Sequence, residues 1–169
     1  MTVLAPPSVL LIDDEDYLIE PLADAFEDEG MGLDTARDWS SGMGLFQVVG
    51  HELVIADYDL QDAKTGLQLL AEVKVLAPST RLVLISGRLD ETAIGLVRDA
   101  AVADAFLERT QPDFLARLLD EGRRAVQRAA QTDWQAVGTD YPRGENVNLR
   151  AIKRLEESLR LHVRRGDTQ

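Results

Sequence analysis

Five short apolar segments recur along the chain at intervals of roughly 20 to 30 residues. The first, third and fourth are continuous apolar runs, whereas a half-exposed strand would alternate apolar and polar residues. Continuous runs of this length are typical of strands buried on both faces, as in a parallel sheet covered by helices. The predicted strands are residues 9–12, 32–36, 53–56, 82–85 and 103–107.

The stretches between these segments have the 3.6-residue apolar period of helices. Gly30 and Gly50 stand where helix-ending glycines occur, Pro78 stops a third helix, and Asp113 after Pro112 is a candidate N-cap. The chain thus reads as β-α repeated five times, which predicts an α/β fold with a parallel sheet and helices on both faces. The helical apolar positions are Leu18, Ile19, Leu22, Ala25 and Phe26; residues 41–49; Leu67, Leu70, Val73 and Leu76; Ile94, Val97 and Ala101; and Phe114, Leu115, Leu118, Leu119 and Val126.

Length and composition add few constraints. The 169 residues, 45% hydrophobic and 28% charged, fit one soluble domain with an appendage. There is no apolar run near 18 residues and no basic, cleavable leader, so neither a membrane span nor a signal peptide is expected. The absence of cysteine excludes disulfides and thiolate chemistry and favours a cytoplasmic location.

The net charge of −12 is spread unevenly. Residues 1–120 hold 8 basic and 23 acidic side chains, whereas residues 121–169 hold 10 and 7. The acidic body is not expected to bind nucleic acid through its overall field. The shift in composition marks a boundary near Glu121.

Residues with candidate chemistry follow four of the five predicted strands, at the edge where parallel α/β sheets bind ligands. Asp13 and Asp14 follow the first strand, Asp57 the third, Ser86 the fourth and Arg109 the fifth. Three carboxylates in one crevice suit Mg²⁺ or Mn²⁺, which prefer oxygen ligands and would offset the repulsion within the acidic run 13–16. A carboxylate beside such an ion can act as a nucleophile and form an aspartyl-phosphate. Taken singly, the acidic run 13–16 is as compatible with a solvated loop as with a site, and Asp57 with a helix N-cap or a turn. Ser86 alone indicates nothing, and Arg109 alone is typical of a surface charge.

Together these segments identify the chain as similar to the response-regulator receiver domains of bacterial two-component signalling. The resemblance covers residues 8 to about 128 and lies in the segments VLLIDDE, LVIADYDLQDAKTGLQLL, LVLISG and ADAFLER. It implies a flavodoxin-like doubly wound five-stranded parallel sheet with strand order 2-1-3-4-5. The matched positions are Asp13, Asp14, Asp57, Ser86, Phe106 and Arg109.

The resemblance implies a mechanism. Asp57 accepts a phosphoryl group from a sensor histidine kinase or a phosphotransfer protein. The metal is held by Asp14, Asp57 and the backbone carbonyl of Asp59, with Asp13 acting largely through water.

The resemblance also implies a conformational switch. Ser86 shifts to bond the phosphoryl group, Phe106 turns inward, and the surface of the fourth and fifth helices changes. The result is a change in protein–protein contacts or in dimerisation.

The sequence departs from the family pattern at three places. Arg109 stands where the family has Lys, and guanidinium is longer and planar. Thr110 replaces the usual following proline, so only Pro112 remains nearby. Gln61 stands at another usual proline position, and Gly66 comes one residue later than usual.

The C-terminal extension belongs to no recognised family. The predicted organisation is a receiver domain over 1–128, a linker over 129–147, and a basic amphipathic helix with its tail over 148–169. The helix either docks on the body or a second copy, or binds an acidic partner through its basic face. One helix is too little for a helix-turn-helix unit, so nucleic-acid binding is not expected. The basic face comprises Arg150, Lys153, Arg154, Arg160, Arg164 and Arg165.

The sequence leaves three other functions to compare with this one. One is a pseudo-receiver that serves as an unphosphorylated interaction scaffold. Another is a regulator whose basic tail binds DNA. The third is an enzyme, since Asp57-Tyr58-Asp59 matches the Asp-x-Asp motif of haloacid-dehalogenase-type phosphatases. In those enzymes the motif lies on the first strand and the acid pair comes last, which argues against the enzyme here.

Overall fold

The computed structural model describes residues 5–87 and 91–131 of the chain. Within these ranges the elements alternate between strands and helices, as the sequence predicts. They are β1 (Ser8–Ile12), a 3-10 turn (Asp16–Leu18), α1 (Ile19–Asp28), β2 (Gly32–Ala36), α2 (Trp39–Val49), β3 (Leu53–Asp57), α3 (Gly66–Leu76), β4 (Arg81–Ser86), α4 (Glu91–Ala100), β5 (Ala105–Glu108) and α5 (Phe114–Gln131).

The five strands form one parallel sheet in the order β2-β1-β3-β4-β5, which confirms the predicted topology. β3 and β4 each run one residue further than predicted, and they end on Asp57 and Ser86. Asp57 pairs with Ile85, and Ser86 pairs with Glu108. Two candidate functional residues are therefore fixed by the sheet itself rather than carried on loops.

β5 begins at Ala105, two residues later than the predicted start at 103. At this point Asp104 and Leu82 form two reciprocal hydrogen bonds, one of which uses the Asp104 side chain. The N–H of Asp104 donates to the Leu82 carbonyl at 2.7 Å, and the N–H of Leu82 donates to the Asp104 carboxylate at 2.8 Å. The side chain of Asp104 thus takes the place of a backbone acceptor at this point.

The sheet is covered on both faces. α1 and α5 pack on one face, and α2 and α3 on the other. Successive residues of β1 face opposite sides of the sheet. Val9 and Leu11 belong to the core beneath α1 and α5. A methyl group added at Gly42 of α2 would meet the side chain of Ile12, so Ile12 faces the opposite layer. This double burial explains the continuous apolar runs.

Helix ends follow the local signals. Gly30, after α1, and Gly50, at the end of α2, both have a positive φ, +76° and +68°, which confirms them as helix-ending glycines. α2 begins at Trp39 rather than 41, because the Asp38 carboxylate accepts the N–H of Ser41 at 2.8 Å and caps the helix earlier. Asp113 directly precedes α5, and its carbonyl accepts the N–H of Arg117 at 2.9 Å.

In the described ranges, no helix is both long and apolar enough to cross a membrane. The predicted basic helix and tail, 148–169, lie outside the described residues, as does the predicted linker apart from 129–131, which continue α5. The six basic positions assigned to partner binding therefore stay predictions.

Candidate functional site

A cleft of about 610 Å³ opens at the carboxyl edge of the sheet. Its walls come from the ends of β3, β4 and β5 and from the turns that follow β1 and β3. This is the edge at which the sequence places the candidate chemistry. The predicted residues that line it are Asp14, Asp57, Asp59, Ser86 and Arg109, and Tyr17, Tyr58 and Glu15 line it as well.

Three carboxylates converge beside this cleft. One oxygen from each of Asp13, Asp14 and Asp57 lies within 4.8 Å of the others. Asp13 and Asp57 are only 3% and 6% exposed, and Asp14 is half-buried. Burial raises the pKa of Asp57 to about 6, because it outweighs the attraction of Arg109. Burial also raises the pKa of Asp13, against the opposing N–H of Glu15 and the charge of Arg109.

These three carboxylates fit a hard divalent cation. Such an ion is coordinated by carboxylate oxygens and completes its coordination shell with water and phosphate oxygens. The predicted fourth contributor, Asp59, lies in the same cleft. Its N–H donates to an oxygen of Asp57 at 3.4 Å, and its exposed carboxylate accepts the N–H of Gln61 at 3.3 Å. The side chain of Asp59 is thus engaged with its own loop.

Arg109 contacts two members of the acid cluster, which is the group Asp13, Asp14 and Asp57. Its Nη2 atom lies 2.5 Å from a carboxylate oxygen of Asp13 and 2.9 Å from one of Asp57. Its Nη1 atom donates to the carboxylate of Glu15 and to the hydroxyl of Tyr17, each at 3.0 Å. Burial opposes the charge, but Asp13 and Asp57 outweigh it and hold the pKa of the guanidinium above its ordinary value.

Glu15 and Tyr17 are partners that sequence reasoning did not assign. Glu15 belongs to the acidic run, so its charge was visible, but its pairing with a residue 94 positions away was not. Tyr17 gave no signal, since it stands alone at the start of a helical segment. Arg109 can contact Glu15 and Tyr17 because its forked guanidinium reaches beyond the carboxylates of Asp13 and Asp57. The ammonium of a Lys would reach only as far as those carboxylates.

Replacing Arg109 by Met is expected to destabilise the metal-free protein by about 2 kcal/mol at pH 7.5, because two buried carboxylates lose their cation. Without it, their pKa values rise further above that of the unfolded chain, so the native state binds more protons as pH falls. The loss should therefore be largest at pH 7–8 and smallest near pH 4.5. Urea denaturation in EDTA at both pH values measures it.

The matched control for this prediction is Arg124→Met. Arg124 pairs with Asp120 at 3.1 Å, but both side chains are about half exposed, at 57% and 50%. Exposed pairs contribute little, so this change should stay within about 0.5 kcal/mol. Equal losses in both variants, or a loss at position 109 that does not depend on pH, would contradict the prediction.

The two predicted switch residues lie in different places. Ser86 is 5% exposed and lines the cleft with Asp57. Phe106 is half-buried and lines a separate groove of about 250 Å³, with Ile94 and Val97 of α4. The structure thus brings Ser86 to the acid cluster and sets Phe106 against α4.

The loop between β3 and α3 is tied to its surroundings at two points. A methyl group added at Gly66 would lie 1.8 Å from the carbonyl oxygen of Asp57, so only glycine permits this close approach. Gln61 has φ +49°, a conformation that the proline usual at this position could not adopt.

The second tie is a cluster at Trp39, which sequence reasoning also missed. The Trp39 indole N–H donates to the carboxylate of Glu72 at 3.1 Å. Lys64 donates to the same carboxylate at 2.6 Å, and its ammonium lies 3.9 Å from the centroid of the Trp39 ring. The backbone N–H of Trp39 donates to the Asp62 carboxylate at 3.2 Å. These contacts hold the loop that carries Asp59 against α2 and α3.

The chain matches the response regulator receiver domain over residues 9–120. The chain belongs to this family. The matched range includes Asp13, Asp14, Asp57, Ser86 and Arg109. Among the described residues no peptide bond is cis.

Several relatives resemble this receiver domain. The alginate biosynthesis transcriptional regulatory protein AlgB of Pseudomonas putida is 30% identical over 108 residues, which are 63% of this chain and 24% of AlgB. The transcriptional regulatory protein GlrR of Escherichia coli is 28% identical over 144 residues, 81% of this chain and 31% of GlrR. The matches thus span about a quarter to a third of these two relatives.

A solved structure supports the same assignment. The crystal structure of the receiver domain of NtrX from Brucella abortus is 32% identical, with a TM-score of 0.60. The match covers 70% of this chain and 98% of that domain.

Proposed function

We propose that Asp57 is a phosphoacceptor, which takes a phosphoryl group from a histidine kinase or a phosphotransfer protein in a reaction that needs Mg²⁺ or Mn²⁺. The observation that carries this proposal is the buried carboxylate of Asp57 at the end of β3. It shares one cleft with Ser86, and one of its oxygens lies within 4.8 Å of an oxygen of Asp13 and of Asp14. Membership of the receiver family supports the same role.

The reaction follows from the groups in the cleft. A carboxylate oxygen of Asp57 forms the new O–P bond as the N–P bond of a phosphoimidazole breaks, and the departing imidazole nitrogen takes up a proton. Asp13, Asp14 and Asp57 would hold a divalent cation, whose charge would offset that of the phosphoryl oxygens. Ser86 and Arg109 would donate to the remaining oxygens.

The ionisation of Asp57 fits the role. A pKa of about 6 is high for an aspartate, yet it leaves the group mostly ionised, and thus nucleophilic, above pH 7. Arg109 holds the charged form in place before the donor arrives. We infer that the phosphoryl group then draws Ser86 toward it and that Phe106 moves within the groove beneath α4.

The output that we propose is a change in protein–protein contacts or in dimerisation. AlgB and GlrR are transcriptional regulatory proteins by name, but this chain matches only a minor part of each. DNA binding through the basic tail therefore stays an alternative, tested by salt-dependent DNA affinity of the full chain. We place the protein in the cytoplasm with its phosphodonor.

One observation favours a second candidate, the pseudo-receiver. Arg109 already pairs with both Asp13 and Asp57, so the acid cluster has a counter-cation of its own. A protein of this kind would work as an unphosphorylated scaffold. Turnover as a phosphatase is not proposed, and release of nitrophenol from p-nitrophenyl phosphate at a sustained rate would overturn that exclusion.

The test is the intact mass of the full chain after incubation with acetyl phosphate and Mg²⁺, beside a sample in EDTA. We expect one added phosphoryl group that appears only with the metal. Asp57→Asn should form no adduct. Asp59→Asn is its matched control, since it makes the same carboxylate-to-amide change two residues away but keeps the backbone carbonyl. It should still form the adduct.

The opposite outcome has two causes that a second probe separates. Beryllofluoride imitates a bound phosphoryl group and does not hydrolyse. Binding of beryllofluoride without a lasting adduct would mean fast hydrolysis and keep the proposal. The absence of both would favour the pseudo-receiver.

A further inference from the structure

We propose that Glu15 and Tyr17 form a dock for Arg109, and that this dock sets how tightly the acid cluster binds a divalent cation. The proposal rests on the metal site of the proposed function. It would make Tyr17 and Glu15 positioning residues, since both act on the cluster through Arg109 and not by contact with the ion.

The guanidinium of Arg109 uses its two terminal nitrogens differently. Nη2 bridges Asp13 and Asp57, inside the cluster. Nη1 bridges Glu15 and the hydroxyl of Tyr17, at the outer side. Nε is buried, and no hydrogen-bond partner lies within its reach among the described residues. The outer pair of contacts therefore fixes the direction in which the guanidinium points.

The position of Nη2 puts Arg109 in competition with a metal ion. The carboxylates that it bridges are two of the three whose oxygens lie within 4.8 Å of one another. An ion among them would face a fixed positive charge at a carboxylate that it needs as a ligand. The ion would therefore repel Arg109 and favour its withdrawal from these carboxylates, and the Nη1 contacts oppose that withdrawal.

The exposure of the dock supports a role beyond packing. Only 9% of the Arg109 side chain is exposed, whereas the Glu15 side chain is 56% exposed. Tyr17 is 57% exposed, and its ring centroid lies 5.7 Å from the guanidinium carbon. An exposed aromatic ring contributes little to the core, so removal of its hydroxyl should leave the fold intact. The contact of Tyr17 with Arg109 is what distinguishes it from other surface residues.

The experiment is a calorimetric titration of the full chain with Mg²⁺. Tyr17→Phe removes one hydroxyl and leaves ring, charge and Glu15 unchanged. We expect the dissociation constant for Mg²⁺ to fall three- to tenfold, because Arg109 withdraws more readily. Tyr58→Phe is the matched control, since Tyr58 lines the same cleft but is not among the described partners of Arg109. It should bind Mg²⁺ as the wild type does.

A double-mutant cycle tests whether Tyr17 acts through Arg109. Arg109→Met should itself tighten Mg²⁺ binding at least tenfold, and adding Tyr17→Phe to it should change nothing further. A general effect of Tyr17 on the cleft would instead give the same change in both backgrounds, which would overturn the dock. Arg109→Lys replaces Arg109→Met if circular dichroism shows that the Met variant does not fold.

The remaining outcomes separate this proposal from the one beneath it. Equal Mg²⁺ affinity in the wild type and Tyr17→Phe would overturn the dock and leave the metal site standing. Absence of Mg²⁺ binding in every variant, Arg109→Met included, would overturn the metal site and the dock with it.

Discussion

Replacing Asp57 by Asn is expected to abolish the phosphoryl adduct and to stabilise the metal-free protein. The first effect follows because a neutral amide cannot attack phosphorus. The second follows because Asp57 is buried near Asp13 and Asp14, and its pKa of about 6 shows that the fold disfavours its charge. Functional sites commonly bury an ionisable side chain whose charge lowers the stability of the folded protein.

The sign of the stability effect depends on pH. The pKa of Asp57 is about 6 in the native state and near 3.8 when unfolded, so the native state binds more protons between these values. Its contribution to stability is therefore lost as pH rises from about 4 to about 6. Two units of pKa correspond to about 3 kcal/mol. That shift already includes the attraction of Arg109, so an amide that packs like the protonated acid should gain about 2 to 3 kcal/mol above pH 7.

Urea denaturation in EDTA at pH 4.5 and pH 7.5 measures this gain. The variant should exceed the wild type at both pH values, by clearly more at the higher pH than at the lower. Asp24→Asn serves as the control, because Asp24 is exposed and lies outside the acid cluster. A variant less stable than the wild type at pH 7.5 would show that the ion pair with Arg109 outweighs the burial of Asp57.

The sheet was predictable because its signal is physical and local. Strands buried on both faces must be apolar throughout, and Gly30 and Gly50 mark helix ends by a backbone conformation that favours glycine. The strand ends were off by one or two residues where polar side chains join the ladder. Asp57 and Ser86 pair within the sheet although their chemistry suggested loops.

The sequence predicts which residues form the candidate site, but it does not predict their side-chain contacts. Topology alone brings Asp13, Asp57 and Ser86 to one edge, so their meeting needed no knowledge of side chains. The pairing of Arg109 with Tyr17 joins residues 92 positions apart, and that pairing depends on rotamers that no pattern in the chain encodes. The same is true of the contact between Trp39 and Glu72, which holds the loop after β3.

Gly66 illustrates how a departure from a family pattern can be read once the structure is known. From sequence it was a glycine displaced by one residue. In the structure its Cα packs against the backbone of Asp57, so it sets the distance between α3 and the strand that carries the candidate nucleophile. The displaced glycine therefore keeps a place where only the backbone can approach.

Gly66→Ala is expected to destabilise the protein by about 3 kcal/mol, a large fraction of the stability of a small domain. The added methyl carbon would lie 1.8 Å from the carbonyl oxygen of Asp57 and 2.6 Å from its carbonyl carbon. Neither atom can move freely, because Asp57 is held in the sheet and the N–H of Tyr58 donates to the Ile85 carbonyl at 2.8 Å. α3 must shift instead, and the loop bearing Asp59 shifts with it.

The matched control is Gly44→Ala, in α2. A methyl group there would meet no heavy atom within 4 Å, and alanine favours a helix interior, so this variant should gain about 0.5 to 1 kcal/mol. Urea denaturation followed by circular dichroism compares the two. Because the shift of α3 displaces the loop next to Asp57, Gly66→Ala should also lower the yield of phosphoryl adduct, whereas Gly44→Ala should not. If Gly66→Ala unfolded at the wild-type urea concentration, α3 would have to stand further from β3 than the structure places it.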